Sequence, residues 1–148
     1  MKTYYIFIIN DNCKRLYKNN SKELYSILEI MYNSKKNDIL LCTDIYKQVV
    51  NLFNKRVYDE FIYNKYKTDE YYSIGKKIHY YNIGNTKNGM IIYNSHIRIA
   101  TNKESSIFFN DLNFLSKGMF VCNFDDKEYF LLESKMNILQ KEYIFSTI

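Results

Sequence analysis

From Ile78 onward the hydrophobic pattern takes a period of two, and no other feature restricts the fold as strongly. KIHYYNI (77–83), MIIYN (90–94) and IRIAT (97–101) alternate apolar and polar positions. That is the signature of half-buried strands, whose successive side chains point to opposite faces. GNTKNG (84–89) has loop composition and Ser95-His96 forms a tight corner, so the three strands read as an antiparallel meander. A second module comes after it. Asn102 is placed to cap a helix whose buried face carries Phe108, Leu112 and Leu115, and Gly118 suits its C-terminal stop. MFVCNF (119–124) and EYFLL (128–132) then form a hairpin around Asp125-Asp126.

The first half mixes periods. Tyr4–Ile9 is rich in β-branched and aromatic residues and reads as a strand. NDNCKRLYKNN (10–20) is polar and reads as a loop, although it carries Leu16 and Tyr17. Asn20 opens a helix with Glu23 three residues on, and Leu24, Ile27, Leu28 and Met31 share one face at helical spacing. NSKKND (33–38) ends that helix, and ILLC (39–42) reads as a brief extended piece. Thr43 and Asp44 are N-cap residues for a second helix, with Ile45, Val49, Leu52 and Phe53 buried and Asp44, Gln48, Asn51 and Lys55 on the opposite side. RVYDEFIYNKY (56–66) continues helically after a break. Beyond about residue 133 the spacing is helical at first and then indeterminate. The sum is a single α+β domain over 1–148, a two-layer arrangement of mostly antiparallel sheet with helices packed on one face.

Composition excludes several classes. With 47% hydrophobic and 25% charged residues, the chain is not a disordered one. Its net charge of +5 is spread along the sequence with acids interspersed, so no direct nucleic-acid partner is expected. Cys13, Cys42 and Cys122 are far apart and odd in number, which implies free thiols and a cytoplasmic protein. The apolar run at the N-terminus is too short for a signal peptide or a membrane span.

No catalytic constellation emerges. His79 and His96 lack Cys, Asp or Glu partners at metal-ligand spacing and read as surface or structural residues. Cys122 sits in an apolar strand as a packed thiol, whereas Lys14 and Arg15 could lower the pKa of Cys13. Gly84 and Gly89 have the gap of a phosphate loop, but Met90-Ile91 stands in place of Lys-Ser/Thr. Asp125-Asp126 reads as a turn. Tyrosines interleaved with lysines in FIYNKYKTDEYY (61–72) could stack bases, yet lie on no evident strand pair. No metal, cofactor or enzymatic activity is expected.

The order of elements resembles the sporulation inhibitor of replication, the SirA family of endospore-forming bacteria. The likeness lies in YYIFII (4–9), RLY (15–17), YKQVVNL (46–52), MIIYNSHIRIAT (90–101), SIFFNDL (106–112) and FVCNFDDKEYFLL (120–132). It implies a sheet with helices packed on it and a non-enzymatic inhibitor, monomeric alone. Such an inhibitor binds the N-terminal domain of the replication initiator DnaA and blocks its action at the origin when a cell commits to sporulate. It also implies a contact surface formed by the segment after the first strand and the second helix, here Cys13, Leu16, Tyr17, Gln48 and Asn51. Cys13 and Asn51 stand where the family carries aromatics, and the tail after Glu133 is longer than the family's. Two other readings differ in class: a small transferase-like α/β enzyme with a degenerate cofactor loop at Gly84–Gly89, and a basic single-strand nucleic-acid binder.

Overall fold

The computed structural model describes residues 1–34 and 46–147, with side chains through residue 139. Strand β1 (Lys2–Ile9) leads into the short helix α1 (Asp11–Leu16) and then α2 (Ser21–Tyr32). After a helical turn at 46–49 come β2 (Val50–Asn51), α3 (Lys55–Tyr66), β3 (Tyr72–Gly75), β4 (Ile78–Ile83), β5 (Thr86–Ile92) and β6 (Ile97–Thr101). Helix α4 (Phe108–Leu115), β7 (Met119–Asn123), β8 (Glu128–Leu131) and α5 (Leu132–Thr147) complete the chain.

Among the described residues the strands all join one antiparallel sheet in the order β3-β4-β5-β6-β1-β7-β8, with β2 added beside β1. β1 is the hub. Its residues Lys2–Ile6 pair with β6 on one side and Tyr5–Ile8 pair with β7 on the other. The side chains of β1 alternate strictly between two cores. Tyr4, Ile6 and Ile8 face one, and Tyr5, Phe7 and Ile9 the other.

The first core receives α3 through Tyr58, Ile62 and Tyr66, α4 through Phe108, Phe109 and Leu112, and α5 through Leu132 and Met136. The α3 residues recur every four positions, the spacing that puts them on one helical face. Asn54 caps this helix, its side chain accepting from the Val57 N–H at 3.3 Å. A buried Asp111 joins α3 to α4 by pairing with the Lys65 ammonium and accepting from the Tyr66 hydroxyl at 2.5 Å. His79, fully buried on β4, accepts or donates at both ring nitrogens: Nδ1 meets the Tyr72 hydroxyl at 2.8 Å and Nε2 meets Asp59 Oδ1 at 2.7 Å. These polar contacts fix α3 over the β3–β4 hairpin, and satisfied partners are what permit such groups in an interior.

The α+β class and the antiparallel sheet are as the hydrophobic periods indicate, but the layering is not confined to one face. Helix α2 packs Leu24, Tyr25 and Leu28 on the second face, against Phe7, Ile9, Phe120 and Cys122. Every residue of β7 is buried, so both of its faces need apolar cover.

Several local expectations change. Within the expected loop 10–20 the residues Asp11–Leu16 form a helix, α1. None of its residues is buried, so it carries no apolar stripe to reveal it. GNTKNG is not a loop throughout, because β5 begins at Thr86 and the turn is only Gly84-Asn85, with Gly84 at φ 55°. Asn102 does not cap α4. It bridges the β-hairpin instead, accepting from the Lys87 N–H at 2.9 Å. Asn20 occupies the N-cap position of α2 but makes no side-chain cap bond. Gly118, at φ 77°, lies past the end of α4 and turns the chain into β7. Asp126 holds its expected turn, its N–H donating to Asn123 Oδ1 at 3.2 Å. The tail is helical as α5. ILLC, Cys42 and the Thr43-Asp44 cap lie outside the described residues.

Each core face can be probed by one truncation. Ile99→Ala on the first face and Phe120→Ala on the second are each expected to lower unfolding free energy by about 3 kcal/mol. Leu16→Ala, at a 72% exposed position, should change it by less than about 0.5 kcal/mol. Urea denaturation followed by circular dichroism measures all three.

Candidate functional site

Asn10, the residue after β1, organises the region where the expected contact residues lie. Its side-chain oxygen accepts from the Cys13 N–H at 2.9 Å and so caps α1. Its own N–H donates to the Val49 carbonyl at 2.9 Å, and its side-chain amide donates to the Gln48 carbonyl. The Cys13 thiol donates to that same Gln48 carbonyl at 3.4 Å. One asparagine thus ties α1 to the helical turn at 46–49 and brings Cys13 and Gln48 together. Its sequence signal was present, an N-cap residue type three positions before Cys13, but its second role needs the tertiary structure.

The five expected residues differ in setting. Leu16 is 72% exposed and Gln48 is exposed. Cys13 and Tyr17 are half-buried against the second core. Asn51 is exposed, but it belongs to strand β2 rather than to a helix. Gln48 and Asn51 are therefore not one helical turn apart, and Leu52, placed in the buried stripe by its spacing, is 69% exposed.

The physical reason lies in β1. Its pairing with β6 ends at Ile6, leaving the last residues of β1 without a neighbour on that side. The chain leaves its helical turn at Val49 so that Val50 and Asn51 can pair with Ile9 and Ile8. Two β-branched residues in succession, Val49-Val50, favour that exit.

Charge around α1 is mostly basic. Lys14 and Arg15 lie in its last turn, where cations complement the helix dipole. Lys14 Nζ is 3.7 Å from Asp11 and Arg15 donates to Asn12 Oδ1 at 2.8 Å. These cations do not activate Cys13, since burial pushes its thiol up. Burial raises the Cys122 thiol further, in keeping with a packed residue.

Beside this region, Tyr5, Phe7, Leu28, Met31, Tyr46 and His96 line an apolar cleft of about 490 Å³. The Tyr46 hydroxyl donates to the Ser95 carbonyl. Burial holds the His96 imidazole below its ordinary value, and the nearby Arg98 guanidinium adds to the effect. Of the two settings expected for His79, surface or structural, the structure shows the second: it is interior and part of the α3 anchor.

Among the described residues no group of His, Cys, Asp and Glu is arranged to hold a metal ion, and no helix is long and apolar enough to cross a membrane. Gly84 and Gly89 fall on a turn and within a strand, so the segment lacks the strand–loop–helix setting of a phosphate loop. No protein-family model matches the chain, and no curated protein matches it either.

His96 gives this region a pH signature. The unfolded chain binds its proton below about pH 6.5, whereas the folded protein resists until the lower folded value is reached. Stability present above about pH 6.5 is therefore lost as pH falls through the folded value. Denaturation midpoints at about pH 7.5 and about pH 5 should differ less in His96→Gln than in the parent chain.

Proposed function

We propose that the protein acts by binding another protein and catalyses no reaction. Its partner is the N-terminal domain of the replication initiator DnaA, and its role is to inhibit replication initiation during sporulation. One observation carries this reading: the junction of Asn10, Cys13 and Gln48 sets side by side the two segments that the family resemblance assigns to the contact surface. Around that junction Leu16, Gln48, Asn51 and Leu52 are exposed. The two exposed leucines, Leu16 and Leu52, offer apolar surface whose burial against a partner is favourable. Tyr17, half-buried beside Cys13, contributes its exposed edge and keeps the α1 end fixed. Inhibition comes from occlusion: an interface of about 800 Å² per partner covers one face of the initiator domain and keeps other partners off that face.

Isothermal titration calorimetry against the isolated initiator domain tests the proposal. The parent chain should bind. Leu16→Asp should weaken binding at least about tenfold, and the Tyr17→Ala, Gln48→Ala double variant at least about thirtyfold, with circular dichroism unchanged. Absence of binding by the parent chain, or full binding by both variants, overturns it.

A further inference from the structure

The strand register gathers a second surface far from α1. Residues paired across an antiparallel sheet share a face. Tyr80 pairs with Gly89, which pairs with Ala100, which pairs with Thr3. One row along, Ile78, Ile91, Arg98 and Tyr5 are paired in succession, and on the other side Asn82 pairs with Lys87. The intervening residues His79, Met90, Ile99 and Tyr4 are buried beneath the helices of the first face. The rows with Tyr80 thus lie on the second face, where α2 covers the β1–β7 end. Ile78, Tyr80, Ile91 and Ala100 are only half-buried, while Lys87 and Arg98 are exposed, so this end stands open to solvent.

The open face has a defined chemistry. It lines a cleft of about 320 Å³ whose lining includes Tyr80, Gly89 and the cations Lys87 and Arg98, and no carboxylate. A Cβ built on Gly89 would stand 3.8 Å from Tyr80 Cδ1 and Cε1, so the tyrosine ring lies against the glycine. Rows two residues apart are separated by about 7 Å. Arg98 is in the row on one side of Tyr80, and Lys87 in the row on the other. The turn between β3 and β4 adds Lys76 and Lys77 at the end of the Ile78 row.

We infer that this face binds single-stranded nucleic acid, with a base stacked on Tyr80 and the backbone phosphates held by Arg98 and Lys87. An aromatic ring resting on a sheet between cations serves an unpaired base, whereas bases within a duplex are already stacked on one another. The absence of carboxylates from the lining favours a polyanion over a peptide of mixed charge. Basic residues that are dispersed along the sequence become neighbours here only through the pairing of β4, β5 and β6.

Fluorescence anisotropy with a labelled oligo(dT) of about 15 nucleotides, at about 50 mM NaCl, tests the assignment. The full chain should bind it and should bind a duplex of equal length at least about tenfold more weakly. Tyr80→Ala should weaken oligo(dT) binding about tenfold. Tyr80→Leu, which keeps cover over Gly89, should do the same and serves if the alanine variant unfolds. Lys87→Gln combined with Arg98→Gln should reduce the slope of log affinity against log salt by about 1.4, the share of two phosphate contacts. No binding by the parent chain, equal binding of duplex, or unchanged binding in the Tyr80→Leu and the double cation variants overturns the assignment. So does self-association in sedimentation that Tyr80→Leu abolishes while oligo(dT) remains unbound, which would give the face to a second copy of the chain.

Discussion

Everything in the fold depends on β1 being paired on both edges and apolar on both faces. It is hydrogen-bonded to β6, β2 and β7 and feeds alternate side chains to two separate cores. A slip of one residue in its pairing would exchange Tyr4 and Ile6 with Tyr5 and Phe7, sending each set to helices shaped for the other. The strand also positions the segment after it. Asn10 is its immediate successor, so the placement of α1, and with it Cys13, Leu16 and Tyr17, is set by where β1 ends.

The same strand explains which parts of the structure were legible in the sequence. β1, β4, β6, β7 and β8 announced themselves through alternation and β-branched or aromatic content. The residues of α2, α3 and α4 that reach the cores recur at helical spacing. The elements that stayed hidden had either too little length or the wrong composition. β3 has four residues, three of them exposed, and so carries no buried alternation to mark it. The start of β5 is built from residues that elsewhere favour turns, and only pairing with β4 makes them extended. Val49, Leu52 and Phe53 fit a helical stripe by number, yet the unpaired end of β1 imposes a strand on Val50 and Asn51. At the candidate face, the segments came from family resemblance, while the bond from Asn10 to the Gln48 carbonyl belongs to tertiary structure and has no counterpart in local sequence.

Buried polar groups account for the asymmetry of the sheet's two faces. Asp111 with Lys65 and Tyr66, and His79 with Tyr72 and Asp59, hold α3 and α4 over one side of the β3–β6 region. The reverse side of those strands receives no comparable anchor among the described residues. α2 is committed to Phe7, Phe120 and Cys122, and Tyr25 donates to Glu29 within it at 2.8 Å while Lys127 reaches the same carboxylate at 3.2 Å. The surface around α1 and the open face of the sheet therefore draw on different residues, and each can be altered while the other is left intact.

The outermost strands, β3 and β8, span four residues apiece. Chains rich in tyrosine and isoleucine are prone to polymerise when a long sheet margin offers its unpaired amides to a neighbour. Here one margin is broken by the paired lysines after Gly75, and the other passes directly into α5 at Leu132. Margins this brief give an incoming chain few free amides to extend, the device by which natural sheets limit edge-to-edge growth.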